Sequence, residues 1–135
     1  MTPIDAGPLY VLFNRKDPSH QRCVAVLPIL AGPLITTWPC FTEAMYLLGR
    51  DLGYPAQEEL LAYVSDKLLR ILFQTEDDCE RMRALMKTYR DAPMDLADAS
   101  LVAAAETLGL SRIFTLDRHF YAYRLSDGCA LEVLP

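Results

Sequence analysis

Met94-Asp95-Leu96-Ala97-Asp98-Ala99-Ser100-Leu101-Val102, followed by Ile113-Phe114-Thr115-Leu116-Asp117, is the stretch that decides how this chain folds. The first part predicts a helix from about Asp95 to Leu108, closed by Gly109. The second part predicts a short strand, Ile113–Thr115, with a carboxylate two residues beyond its end. Asp95 and Asp98 stand three residues apart in the first helical turn and share roughly one face. Asp95 has an ordinary use there as a cap or a partner of the helix dipole. Asp98 has no such local reason, because it lies within an apolar stretch where a lone carboxylate is costly.

Working outward, the same alternation continues. Met1 to Asp5 reads as a very short first strand, punctuated by Gly7-Pro8, and Leu9 to Asn14 as a turn or two of helix. Asp17-Pro18-Ser19 starts a helix expected to run from His20 to Leu30, ended by Gly32-Pro33. Leu34–Thr37 is a β-branched strand; Phe41–Gly49 and Pro55 to about Lys67 have helical spacing, with Trp38-Pro39 starting the first of these two. Leu68–Phe73 reads as a buried strand, and Thr75 caps a helix to about Arg90, with Glu76, Asp77 and Asp78 at its positive end. Cys129–Leu134 is the last strand. Strands alternating with helices predict an α/β protein, a three-layer α/β/α sandwich around a mostly parallel sheet.

With 135 residues, no repeat and no linker-like stretch, the expectation is one domain over 1–135. Hydrophobic residues at 52% exclude a disordered chain, and a net charge of −5 argues against a general polyanion-binding surface. Cys23, Cys40, Cys79 and Cys129 form no CxxC pair and lie far from His20 and His119, which argues against zinc. They are expected as reduced thiols packed like small apolar side chains. No secretory leader is read in Met1–Asp5, and the longest uncharged run, Cys23–Trp38, is too short and too broken to span a bilayer. A cytoplasmic protein without membrane association is expected.

In a parallel α/β sheet, functional groups collect beyond the carboxyl ends of the strands. Asp5 ends the first strand, Glu43 lies early in the helix after Leu34–Thr37, Asp98 opens its helix, and Asp117 follows Ile113–Thr115. If these strands are neighbours, four carboxylates converge, and they repel one another unless a cation neutralises them. Oxygen-only ligands favour Mg²⁺ or Mn²⁺, the ions of phosphodiester hydrolysis.

Ile4-Asp5-Ala6-Gly7-Pro8-Leu9 with Asn14-Arg15-Lys16-Asp17-Pro18-Ser19-His20 resembles the opening of a PIN domain of the VapC toxin type. Thr36-Thr37 with Thr42-Glu43-Ala44 is similar to its second motif. Met94–Val102 and Thr115-Leu116-Asp117-Arg118-His119-Phe120 resemble its third and fourth. The resemblance extends over nearly the whole chain, in the family order. It implies a Mg²⁺- or Mn²⁺-dependent ribonuclease, the toxin of a toxin–antitoxin pair, with RNA as substrate, a small antitoxin protein as partner and a homodimeric state. It carries the four catalytic, metal-binding acids onto Asp5, Glu43, Asp98 and Asp117, with Asp95 an auxiliary acid and Thr115 placed to hydrogen-bond a carboxylate or water. One departure is Pro3 inside the first strand, which removes a ladder donor.

Other residues have plainer expectations. His20 and His119 read as surface or capping residues, and the stripes in Leu60–Leu69 as core or a dimer face. Arg15, Arg112, Arg118 and Arg124 are candidates for phosphate contacts, although solvated surface is the commoner fate of such charges. A phospho-receiver domain would need a late lysine, and the last is Lys87; a haloacid-dehalogenase-like phosphatase would need Asp-x-Asp where Asp5-Ala6-Gly7 stands. The rival of another kind is a non-catalytic PIN-like module that binds protein or RNA.

Overall fold

The computed structural model describes residues 1–135. Its elements are β1 (Thr2–Pro3), α1 (Ala6–Leu12), α2 (His20–Val24), β2 (Leu34–Thr37), α3 (Trp38–Asp51), α4 (Tyr54–Ser65), β3 (Leu69–Leu72), α5 (Glu76–Thr88), α6 (Leu96–Leu108), β4 (Arg112–Phe114) and β5 (Glu132–Leu134). β1 pairs in parallel with β2, β2 with β3, and β4 with β5. A parallel bridge between Ile4 and Phe114 joins the two sets, giving the order β3-β2-β1-β4-β5.

The seam between β1 and β4 follows from one residue. The amides of Thr2 and Ile4 face β2, donating to the carbonyls of Pro33 and Ile35. Those of positions 3 and 5 face the other way, toward β4, because successive residues of a strand alternate sides. Pro3 has no N–H to offer, so this pairing is made only further along, where the Asp5 amide donates to the Phe114 carbonyl at 2.9 Å. The pairing thus survives Pro3 but is confined to the carboxyl end of β1.

Two groups of helices cover the sheet. α6 packs on β1 and β2, with α5 against it; α3 packs on β2 and β3, α4 on β3 and α3, and α1 and α2 extend that layer. The core run of α6 is buried all round from Ala97 to Ala105. Its five alanines let neighbouring backbones approach, while Leu101 and Val102 fill space among Ile4, Ile113 and Phe114 in the core cluster. Arg81 of α5 grips Glu106 of α6 with two hydrogen bonds, at 2.8 and 2.7 Å.

Several element boundaries differ from expectation, each for a local reason. The helix expected over His20–Leu30 ends at Val24 and gives way to a 3-10 turn at Leu27–Ile29. Pro28 explains this: its ring conflicts with the carbonyl four residues back, that of Val24. α1 begins earlier than expected, at Ala6, because Asp5 caps it and Pro8 falls in the first turn, where an amide has no intrahelical acceptor. β3 lies at the sheet edge rather than buried on both faces: only Leu69 is fully inside, and Phe73 is 78% exposed. The last strand shortens to Glu132–Leu134 because Cys129 and Ala130 turn back on Leu125 and Arg124. All four cysteines are free thiols, but only Cys23 and Cys40 are buried, so the expectation of packed thiols fails for Cys79 and Cys129. No helix is long and apolar enough to cross a membrane.

Gly109 ends α6 at φ 65°, ψ 33°, and a Cβ there would meet nothing within 4 Å. Gly109→Ala therefore tests backbone conformation alone. It is expected to cost about 1 kcal/mol, seen as a lower denaturation midpoint with an unchanged m-value.

Candidate active site

Asp5 follows β1 and caps α1, its carboxylate accepting from the Ala6 amide at 2.7 Å. β4 ends one residue before Thr115, whose hydroxyl donates to Asp5 Oδ2 at 2.8 Å and accepts from the Asp117 amide at 3.0 Å. Thr115 thus links the first and fourth acids. At the start of α6, Asp95 accepts from the Asp98 amide at 2.8 Å, and Asp98 accepts in return from the Asp95 amide at 3.2 Å. This reciprocal capping box holds both carboxylates on one helix end. The buried contact of Ser100 Oγ with Thr37 Oγ1, at 2.7 Å, ties the same end to β2, where α3 begins and carries Glu43.

These placements bring the acids to one edge. Asp5, Glu43, Asp95, Asp98 and Asp117 all line a single cleft of about 290 Å³, whose other walls are Ala6, Gly7 and Leu116. No lysine, arginine or histidine stands among them. Asp5 and Asp98 are buried, 8% and 7% exposed, while Glu43 is exposed as a residue.

Burial raises the Asp5 pKa above the usual carboxylate range, opposed by the Thr115 and Ala6 hydrogen bonds and helped by the charges of Asp117 and Asp95. Asp98 is pushed up to about 7, first by burial and then by the charge of Asp95, with Asp5 and Asp117 adding to it. Glu43 is also raised, by partial desolvation at the cleft wall and by Asp5 and Asp95. Burial lifts the Cys40 thiol strongly, with the Asp5 charge second. It stays protonated, its sulfur 3.8 Å from Asp5 Oδ1, and is no nucleophile.

A hard divalent cation fits this donor set in chemistry and charge, since every polar side chain lining the cleft is a carboxylate. Yet no three of these groups stand in a metal-holding arrangement as they are. Asp95 and Asp98 serve each other's amides, and Asp117 Oδ1 accepts from the His119 amide at 2.9 Å and meets His119 Nδ1 at 2.8 Å.

Sequence reading missed three contacts. Tyr123, wholly buried, reaches Asp98 Oδ2 with its hydroxyl at 3.4 Å, and no local pattern marks it. Cys40 lies beside Asp5, and Ser100 locks α6 to β2; only Ser100, two residues after Asp98, had a hint in its position. His119 was expected at the surface or in a cap, and it also contacts the fourth acid. His20 instead pairs its ring with the Val11 carbonyl at 2.9 Å. Among the four arginines considered, Arg112 is engaged by Glu132 and Arg124 by the carbonyls of Tyr121 and Tyr123, and Arg15 does not line the cleft.

The model of the PIN domain family matches residues 4–125, and the chain belongs to that family. It is 26% identical over 133 residues, 98% of each chain, to a protein named Ribonuclease VapC26 of Mycobacterium tuberculosis. The crystal structure of the Mycobacterium tuberculosis toxin VapC20, described as cleaving the sarcin-ricin loop, superposes with a TM-score of 0.85 at 20% identity over the whole of both chains. A toxin–antitoxin complex from Klebsiella pneumoniae gives 0.68 at 17% identity, covering 89% of this chain and 90% of that one. Ribonucleases of the family are generally divalent-metal dependent.

The raised acids set a pH signature for the metal-free protein. Asp98 ionises near pH 4 when unfolded but near 7 when folded, so the folded state binds more protons between these values. The sign is then fixed: stability falls as pH rises from about 4 through 7. Melting curves in EDTA are expected to show this decline, and Asp98→Asn to flatten it. Stability rising across the window would contradict the assignment of a buried, charge-crowded carboxyl.

Proposed function

We propose that this chain is a divalent-metal-dependent endoribonuclease acting as the toxin of a toxin–antitoxin pair. The observation that carries the reading is the convergence of five carboxylates in a cleft lined by no basic side chain, at the carboxyl edge of the parallel sheet. Asp5, Glu43, Asp98 and Asp117 would hold Mg²⁺ or Mn²⁺, and Asp95 would orient Asp98 through their mutual amide bonds. Bound there, such an ion supplies phosphate-oxygen polarisation and a lowered water pKa.

The chain's own residues set the rest. Thr115 fixes the Asp5 carboxylate by donating to one oxygen, and the Ala6 amide binds the other, so this acid keeps one orientation. Tyr123 and the Asp95 amide both donate to Asp98 Oδ2, which steadies this second acid through one oxygen. With Cys40 buried and protonated, no thiol, hydroxyl or amine side chain lines the cleft, which suits hydrolysis by water.

Asp98→Asn tests the reading. Asparagine retains size and can still accept from the Asp95 amide, but one negative charge leaves the cleft. RNA cleavage is expected to fall by orders of magnitude, and calorimetric Mn²⁺ affinity to fall with it, while metal-free stability is level or higher. Asp95→Asn, which preserves a good cap, is expected to be milder. Unchanged ribonuclease activity in the Asp98 variant would overturn the site assignment, and a wild type that binds no Mn²⁺ would favour the non-catalytic module.

The relatives with toxin and antitoxin in their descriptions support a small antitoxin partner. A homodimer is supported by aromatic and aliphatic side chains left outside on α3 and α4, among them Trp38, Tyr46, Tyr54 and Leu61. Light scattering at micromolar concentration is expected to give twice the 15.2 kDa chain mass; a monomer would count against it.

A further inference from the structure

A second cleft, of about 360 Å³, adjoins the acidic one and shares Leu116 and Asp117 with it. Its character differs, with Asp117 its one acidic side chain against two arginines. Arg22, in the last turn of α2, and Arg118, directly after Asp117, stand at its walls with Tyr121. Neither guanidinium has a salt-bridge or hydrogen-bond partner, unlike Arg50, Arg81 and Arg112, each of which is engaged by a carboxylate. In a chain of net charge −5, two unpaired arginines facing one concavity beside a cluster of acids form a local reversal of field. Tyr121 is 59% exposed, and its backbone carbonyl is held by Arg124 Nη1 at 2.7 Å, which fixes the 3-10 turn that presents the ring.

Guanidinium forks are suited to phosphate oxygens, and an exposed aromatic face accepts a nucleobase. Leu116 and Asp117 form the shared wall, so a strand with one phosphate at the acids would have its neighbouring nucleotide over the second cleft.

We infer that this cleft is a nucleotide subsite for single-stranded RNA, with Arg22 and Arg118 binding a backbone phosphate next to the scissile one and Tyr121 stacking on the adjoining base. The inference rests on the ribonuclease reading above and adds where the strand runs: from the Asp117 edge across the 3-10 turn toward the end of α2. Arg22 lies outside every motif that marks the acids, which is why only the fold brings it here.

Steady-state cleavage of a mixed-sequence single-stranded oligoribonucleotide with Mn²⁺ tests it. Arg22→Gln combined with Arg118→Gln is expected to raise KM about tenfold. Loss of two phosphate contacts should also make the salt dependence of log(1/KM) shallower by about 1.4. Tyr121→Ala is expected to raise KM about tenfold, with Tyr121→Phe restoring it, because stacking needs the ring and not the hydroxyl. Mn²⁺ affinity by calorimetry should not fall in any of these variants, a readout that a collapsed site would move. KM and salt slope equal to wild type, or an effect confined to kcat, would overturn the subsite while leaving the ribonuclease reading intact. A wild type that cleaves no RNA would instead remove both.

Discussion

The hydrogen bond from Thr115 to Asp5 closes the sheet and builds the site at once. Pro3 deprives β1 of the donor that would have paired it to β4 at the start of the strand, so the two halves of the sheet meet only near its carboxyl end. There, within a few residues, lie the Ile4–Phe114 bridge, the Asp5 amide on the Phe114 carbonyl, and the Thr115 hydroxyl on Asp5 Oδ2. The acid edge is therefore the place where the two strand sets are joined. A change that loosens the acids also loosens the seam, and the buried Asp5 is tolerated because it serves as both cap and clasp.

α6 solves a related problem. Its alanine-rich core segment lies fully inside the protein, which leaves charge to its two ends, Asp98 at the start and Glu106 after the buried run. The reciprocal bonds between Asp95 and Asp98 satisfy amides that would otherwise be orphans at a buried helix end. Those bonds also hold two of the acids side by side at the start of the helix. Asp5, Asp95, Asp98 and Asp117 each accept a local hydrogen bond, and the pKa values of Asp5, Glu43 and Asp98 are raised first by burial, with the neighbouring carboxylates adding to it.

Charge is arranged finely for a chain that is acidic on the whole. Carboxylates gather in one cleft that no basic side chain lines, and two arginines without a carboxylate partner border the next. Elsewhere ion pairs are closed locally, as in Arg81 with Glu106 and Arg112 with Glu132. The sum of −5 conceals this, since a net charge does not report the separation of its parts.

Much of the fold was legible because its causes are local. Asp95 as a cap, Gly109 as a stop, Thr75 with the acids after it, and the apolar strands near Leu34 and Ile113 each rest on the chemistry of a few neighbouring residues. The acids Asp5, Glu43, Asp98 and Asp117 were readable as ends of strands or starts of helices, and a parallel sheet predicted a common edge on condition that their strands are neighbours, which the strand order supplies. Pro28 ended a helix that periodicity alone extended, because apolar spacing outweighed the backbone conflict in the reading. What only the tertiary structure decided are contacts between residues far apart in the chain: Tyr123 on Asp98, Cys40 beside Asp5, Ser100 on Thr37, and Arg22 in the same cleft as Arg118. A sequence specifies such contacts only through the packing of whole elements, since a side chain's local pattern carries no record of what a distant strand or helix will place against it.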